Sequence, residues 1–89
     1  MIFSSEQLAD GTHGQTVHPG PPGRVCTDTR KIQPGDWFLA LRGERFDAHD
    51  FLVQAIEAGA GGVIAEQVPP GWSAGYVQVD DSLRALQDL

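Results

Sequence analysis

The segment Trp37-Phe38-Leu39-Ala40-Leu41 constrains the fold more than any other part of the chain. It is a continuous apolar run that follows the turn signal Pro34-Gly35 and stops before Gly43. A short apolar run between turn residues is typical of a strand that is buried on both faces of a sheet. The sequence therefore predicts a strand that is buried on both faces of a sheet on which helices pack.

Similar short segments continue on both sides of this strand. Further strands are predicted at Val25–Thr29, which is rich in β-branched residues, at Gly62–Glu66 and at Tyr76–Val79. From Val25 onward the elements follow the order β, β, α, β, β, α. This order predicts an α/β fold, in which residues 1–89 form a small single domain with a mixed β-sheet packed with two to three helices.

Two helices are predicted between and after these strands. The first begins at Asp47 as N-cap and ends at Gly59 as C-cap residue. Its apolar face consists of Phe51, Leu52, Ala55 and Ile56. The second is capped by Asp80 or Asp81 and carries an apolar stripe of Leu83, Leu86 and Leu89. Because this helix stops without a capping glycine, we expect the chain to end inside a longer protein, with the stripe partly uncovered.

The first 24 residues have weaker signals. Ser4 or Ser5 is a candidate cap for a short helix that we expect to end at Gly11 and Gly14. A short strand is predicted at Gln15–His18, and the following Pro19–Gly23 segment is a loop.

Charge narrows the class of ligand. The net charge of −6 argues against nucleic acid as a partner, since a protein needs a basic face to displace counterions. Five of the six basic residues lie between positions 24 and 45, so this stretch carries a net charge of +2 and the rest −8. Such a distribution suits a small anionic ligand, although a solvated surface of mixed charge explains it equally well.

Several classes of site are excluded by the residues present. Cys26 is the only cysteine, which rules out an internal disulfide and indicates a reducing compartment. His13, His18 and His49 lack the spacing of zinc ligands, so no metal site is predicted. No apolar run approaches the roughly 20 residues that span a bilayer, and we expect a cytoplasmic protein without membrane contact.

Motifs for catalysis are also missing. The sequence contains no G-x-x-x-x-G-K-[ST], no G-x-G-x-x-G and no G-x-S-x-G. The glycine-rich stretch Ala58–Gly62 lies between a predicted helix and a predicted strand, whereas a phosphate loop runs from a strand into a helix. We therefore predict no catalytic residue in this chain.

Two segments remain as candidates for binding. In Thr27-Asp28-Thr29-Arg30, the hydroxyls and the guanidinium suit phosphate oxygens, and the alternative is an Asp28–Arg30 ion pair with threonines chosen for strand propensity. In the second segment, Arg45 and Phe46 suit a planar base beside Asp47 at a helix start. The alternative there is that Asp47 is only a cap, Phe46 packs on the core and His49 lies on the surface.

Residues 27–51 resemble the N-terminal domain of the Mur ligase family. The shared pattern is D-[ST]-R, then P-G, then a strand ending in glycine, then D-[GA]-H and F, which this chain carries as Asp28-Thr29-Arg30, Pro34-Gly35 and Asp47-Ala48-His49-Asp50-Phe51. The downstream Gly59-Ala60 and the segment 79–86 also fit, so the resemblance covers roughly residues 25–89. The chain departs from the pattern at Ala48, where glycine is commoner, and at Trp37, where a smaller aliphatic residue is usual.

The resemblance implies a function. Mur ligases are three-domain cytosolic enzymes that activate a carboxylate as an acyl phosphate, and their first domain holds the UDP part of a UDP-MurNAc-peptide. ATP and Mg²⁺ belong to the central domain, so this chain should hold no cofactor and end before the ATP site. Carried over, the expected UDP contacts are Thr27, Asp28, Thr29, Arg30, Arg45, Phe46 and Asp47. A monomer is expected.

Within the family, the loop most resembles the members that add D-alanyl-D-alanine to a UDP-MurNAc-tripeptide. The alternatives are the sister ligases that add the third peptide residue, and a free-standing α/β interaction domain without a nucleotide role. For the whole enzyme, the resemblance implies roles in peptidoglycan and cell-wall synthesis, and so in cell shape and division.

Overall fold

The computed structural model describes residues 2–43 and 47–89. The described residues form the helices α1 (Ser5–Thr12), α2 (Leu52–Glu57) and α3 (Ser82–Asp88) and two short 3-10 helices (Thr29–Lys31 and Ala48–Phe51). The strands are β1 (Gln15–His18), β2 (Val25–Cys26), β3 (Trp37–Leu39), β4 (Gly62–Ala65) and β5 (Gly75–Gln78). None of these helices is long and apolar enough to cross a bilayer.

The strands form a single mixed sheet in the order β1-β5-β4-β3-β2. Strands β2, β3, β4 and β5 run parallel to one another, and β1 pairs antiparallel with β5. The carboxyl ends of the four parallel strands therefore lie at one edge of the sheet. The predicted α/β fold with a mixed sheet and two to three helices is confirmed.

The interior strand β3, which lies between β2 and β4, contributes side chains to two hydrophobic cores on opposite faces of the sheet. Trp37 and Leu39 face α1 and α3, whereas Phe38 faces α2, and all three side chains are at most 1% exposed. The first core also contains Leu8, Ala9, Ile64, Val77, Val79 and Ala85. The second contains Ala40, Ala48, Leu52, Ala55, Val63, Ala65 and Tyr76. Burial of β3 on both faces is thus confirmed.

The large side chain of Trp37 fits because glycines make room for it. Its indole Nε1 donates a hydrogen bond to the carbonyl oxygen of Pro21 at 2.7 Å. A Cβ added at Gly62 would lie 2.6 Å from the indole ring, and one added at Gly75 would lie 2.9 Å from it. The absence of side chains at these two positions on β4 and β5 is what accommodates a tryptophan on β3.

The second predicted strand is shorter in the structure than Val25–Thr29. It ends at Cys26, and the chain enters the 3-10 helix Thr29–Lys31. The Asp28 carboxylate accepts a hydrogen bond from the backbone N–H of Arg30 at 2.9 Å. A side chain that bonds its own backbone in this way competes with the sheet ladder, which explains the early end.

The first helix is longer than predicted. Ser4 caps it in a reciprocal capping box with Gln7, as the sequence suggested, but the helix continues through Gly11 to Thr12. His13, with φ of 57°, provides the left-handed terminal residue that we expected from a glycine. The hydroxyl of Thr12 also donates to the carbonyl of Leu8 at 2.6 Å, which supports the last turn.

The helix predicted from Asp47 begins as the 3-10 helix Ala48–Phe51, which Asp47 caps, and continues as α2 from Leu52, whereas Asp81 caps α3 as predicted. Asp47 and Asp81 both accept backbone N–H groups, and Gly59 has a φ of 106° just after α2. Helix α3 buries Ser82 and Ala85. Its stripe of Leu83, Leu86 and Leu89 is 51%, 37% and 40% exposed, so the expectation of a partly uncovered stripe is confirmed.

The Trp37 packing generates a test. Gly62→Ala should destabilise the domain by about 1–3 kcal/mol, because the added methyl group overlaps a buried ring that has no space to move into. Gly11→Ala is the matched control: its methyl group meets only the flexible end of Leu89, and in a helix it should be neutral or stabilising by up to about 1 kcal/mol. Urea unfolding of both variants measures the difference, and equal stability of the two would contradict this account.

Candidate functional site

An open cleft lies between the segment after β2 and the segment before α2. Its volume is about 640 Å³. The described residues that line it are Thr27, Asp28, Thr29, Arg30, Phe38, Ala48 and Phe51. The fold therefore brings the first candidate segment and the helix start of the second, which are about twenty positions apart in sequence, to one surface.

The two segments meet because each follows the carboxyl end of a parallel strand. Thr27 comes directly after β2, and Ala48 is held at the end of β3 by its N–H, which donates to the carbonyl of Leu41 at 2.8 Å. Strands β2 and β3 are adjacent and parallel. Clefts outside the carboxyl ends of parallel strands are the usual ligand sites of open α/β sheets.

One wall of the cleft carries a fixed ion pair. Arg30 donates from Nε to Asp28 Oδ1 and from Nη2 to Asp28 Oδ2, both at 3.1 Å. The hydrogen bond from the Arg30 side chain holds the pKa of Asp28 below its ordinary value, and the same pairing raises the pKa of Arg30. The Asp28–Arg30 ion pair considered from the sequence is therefore present.

The ion pair with Asp28 uses only part of the hydrogen-bonding capacity of the Arg30 guanidinium. Arg30 has five N–H donors, of which the bidentate contact with Asp28 uses two. The side chain of Arg30 is 86% exposed. Asp28 thus orients the guanidinium at the rim of the cleft, while its remaining donors face solvent and can meet an anion.

The floor of the cleft is apolar. Phe38 is 1% exposed and Ala48 is 4% exposed, and Phe51 is half-buried beside them. The hydroxyl-bearing Thr27 and Thr29 stand with Arg30 on the polar side. An apolar floor with a few polar groups at one side suits a ligand that combines a planar ring with a charged group.

Asp47 lies outside the described lining of this cleft. Its Oδ1 accepts hydrogen bonds from the backbone N–H of His49 at 2.9 Å and from the His49 ring at 2.6 Å. The backbone bond is the main reason that the pKa of Asp47 lies below its ordinary value. Asp47 is thus confirmed as a cap. Arg45 and Phe46 lie outside the described residues.

His49 was placed on the surface in one of the two alternatives drawn from the sequence, and that placement is wrong. Its side chain is 6% exposed. Both ring nitrogens are engaged, Nδ1 with Asp47 and Nε2 as acceptor of the Glu66 N–H at 2.9 Å. The Asp-x-His spacing at the start of a helix is the signal that could have indicated this contact.

A polar network continues from Glu66 along the carboxyl edge of the sheet. The Glu66 carboxylate accepts from Arg42 Nη1 at 3.1 Å and from the N–H of Ser82 at 3.0 Å. The hydroxyl of Ser82 in turn accepts from the N–H of Arg42 at 3.0 Å. The described residues contain no group of three or more metal-ligating side chains placed around one point.

Comparisons with known proteins identify the family of this chain. The family model described as "Mur ligase family, catalytic domain" matches residues 24–89. The UDP-N-acetylmuramoyl-tripeptide–D-alanyl-D-alanine ligase of Bacillus subtilis is 45% identical over 84 residues, which are 92% of this chain and 18% of that protein. The 2,6-diaminopimelate ligase of Chlorobium phaeobacteroides is 38% identical over 69 residues, covering 74% of this chain and 14% of the relative.

Solved structures match over the whole chain. A crystal structure of MurF from Acinetobacter baumannii superposes with a TM-score of 0.86 at 35% identity, covering 100% of this chain and 20% of that one. The chain belongs to the Mur ligase family. Its fold is that of the N-terminal domain in MurF structures, and it spans about a fifth of the length of the B. subtilis and A. baumannii relatives.

The ion pair on the cleft wall generates a prediction. Arg30→Gln should raise the pKa of Asp28 toward the ordinary value of about 3.9, since it removes the hydrogen bond that lowers it. Charged Asp28 stabilises the fold at pH values above its ordinary pKa, and this stabilisation is lost as pH falls through the lower pKa of the folded state. In the variant the folded pKa is higher, so the stabilisation should be lost at a higher pH. Carboxyl carbon shifts followed through acid titration measure this. Asp47 is the internal control, because its own pKa depends on His49.

Proposed function

We propose that this domain holds the UDP part of a UDP-MurNAc-peptide in the cleft lined by Thr27–Arg30 and Ala48–Phe51. The observation that carries the proposal is that the fold gathers these two segments around one cleft with an apolar floor and an exposed arginine at its rim. The floor of Phe38 and Phe51 suits the uracil ring, and the outward donors of Arg30 suit the diphosphate. Asp47, Arg45 and Phe46 are proposed as further contacts from the adjoining loop.

The whole enzyme that we propose adds D-alanyl-D-alanine to a UDP-MurNAc-tripeptide. Both the B. subtilis relative and the A. baumannii structure carry names of this ligase. In that enzyme ATP and Mg²⁺ serve to activate the carboxylate as an acyl phosphate, and they are proposed to bind outside residues 1–89. The chain by itself is then a cytoplasmic, monomeric binding domain without ligase activity.

A second candidate is the sister ligase that adds the third peptide residue. The 38% identity to the diaminopimelate ligase of C. phaeobacteroides supports this second candidate. Both candidates place UDP in the same cleft. They differ in the peptide attached to UDP-MurNAc, a tripeptide or L-alanyl-D-glutamate, and in the amine that is added, D-alanyl-D-alanine or 2,6-diaminopimelate. ADP release by the longer protein, measured with each matched pair of UDP-MurNAc-peptide and amine, separates the two.

Amide chemical shifts of the 89-residue chain test UDP binding. We expect millimolar UDP to shift the amides of residues 27–30 and 48–51, since an isolated domain retains only part of the contacts made by a whole enzyme. The amides of His13 and Arg84, which lie outside the cleft, serve as the internal control. No shift at residues 27–30 or 48–51 would contradict the proposal and favour an interaction domain without a nucleotide role.

Matched arginine variants test the proposed diphosphate contact. Arg30→Gln should weaken binding of UDP by about three- to tenfold, because it removes a charge-assisted contact. The same variant should bind uridine as the wild type does, since uridine carries no phosphate. Arg84→Gln, which removes another exposed arginine that lies close to an aspartate, should leave both affinities unchanged. Titration calorimetry with UDP and uridine compares the variants. An equal loss of affinity for the two ligands would show that Arg30 does not contact the diphosphate.

A further inference from the structure

The hydrogen bonds of His49 define the tautomer of its ring. The Glu66 N–H can only donate, so the His49 Nε2 that lies 2.9 Å from it must carry a lone pair. The proton of the neutral ring is then on Nδ1, which donates to Asp47 Oδ1 at 2.6 Å. His49 is therefore the Nδ1–H tautomer, and its imidazole bridges a carboxylate and a backbone amide.

The bridge joins two separate parts of the fold. Asp47 and His49 belong to the start of the 3-10 helix Ala48–Phe51, and Glu66 directly follows β4. The Glu66 carboxylate is itself fixed by Arg42 after β3 and by the N–H of Ser82 in α3. The imidazole therefore attaches the 3-10 helix to a rigid point at the edge of the sheet.

The same 3-10 helix forms one wall of the cleft. Ala48 and Phe51 line the cleft opposite residues 27–30, whereas His49 lines a neighbouring depression of about 230 Å³ with Asp47 and Asp50. A ligand in the cleft therefore meets Ala48 and Phe51, and His49 acts through them. The N–H of Ala48 is bonded to Leu41 after β3, and His49 adds an attachment to the residue that follows β4.

We propose that His49 is a positioning residue for the cleft, whose Nδ1–H imidazole sets the distance between the Ala48–Phe51 wall and the Thr27–Arg30 wall. The expected effect on UDP binding rests on the proposed function, whereas the positioning of the wall rests only on the geometry of the ligand-free domain. With the attachment to β4 lost, the 3-10 helix is held less firmly against the sheet and can shift relative to residues 27–30. A ligand that must touch both walls then binds less tightly.

Three substitutions separate the two hydrogen bonds of the ring. The amide of glutamine reaches the place of Nε2 and can accept from Glu66 N–H, whereas the shorter asparagine reaches the place of Nδ1 and can meet only Asp47. His49→Gln should therefore keep UDP affinity near that of the wild type. His49→Asn and His49→Ala should each weaken it on the order of tenfold. His13→Asn is the matched control, because it makes the same exchange at an exposed histidine. Asparagine tolerates the left-handed backbone conformation of position 13, so this variant should not change UDP affinity.

Two readouts do not require UDP. Ring nitrogen shifts of the wild type should show the Nδ1–H tautomer at His49, with a protonated Nδ1 and an unprotonated Nε2. In the ligand-free His49→Asn and His49→Ala variants, the amides of residues 48–51 should shift and exchange faster, and His49→Gln should restore them. If His49 only stabilised the fold, its substitution would lower the free energy of unfolding without changing the UDP affinity of the folded protein. Affinities are therefore compared at temperatures at which each variant is fully folded.

The outcomes distinguish this inference from the proposed function. If the wild type binds UDP and the Ala and Asn variants bind it equally well, the positioning role is wrong and the UDP site stands. If the wild type does not bind UDP, the proposed function is wrong, and the amides of residues 48–51 decide the positioning role. An Nε2–H tautomer, or unaltered wall amides in the Ala and Asn variants, would overturn the inference. If His49→Ala fails to fold, the Gln and Asn pair still gives the comparison.

Discussion

The burial of β3 on both faces is the constraint on which the rest of the structure depends. Because Trp37 and Leu39 need cover on one side and Phe38 on the other, the domain must place α1 and α3 on one face of the sheet and α2 on the opposite face. Glycines on β4 and β5 then make room for the indole of Trp37. Strands β2, β4 and β5 run parallel to β3, so the carboxyl ends of these four strands lie at one edge of the sheet, whereas β1 is antiparallel.

That edge is where polar chemistry concentrates. The residues that follow β2, β3, β4 and β5 supply the Asp28–Arg30 pair, Arg42, Glu66 and the cap of α3. Each of these groups is held by a local hydrogen bond to a neighbouring backbone or by its partner in the network. The cleft therefore has one wall fixed by the Asp28 cap and another fixed by Asp47 and His49, and both caps are short-range interactions that the folded sheet brings face to face.

Local signals in the sequence predicted many of these features and missed others for physical reasons. The caps Ser4, Asp47 and Asp81 and the helix end at Gly59 were found because each depends on a few adjacent residues. The strand at Val25 was predicted too long, since β-branched residues indicate strand propensity but not where Asp28 turns its carboxylate onto the backbone. The end of α1 was placed at a glycine, although His13 adopts the left-handed conformation instead.

The sequence by itself determined the α/β class, the caps and the two segments from which a nucleotide site is proposed, because periodicity, turn residues and short motifs act over a few positions. The tertiary structure alone decided that residues 27–30 and 48–51 share one cleft, and that Asp47 lies outside the described cleft lining. It also decided that His49 is buried and bonded to Glu66, 17 positions away. Contacts of this kind depend on strand order and register, which no local pattern encodes, since the partner of a side chain is chosen by which strands lie side by side.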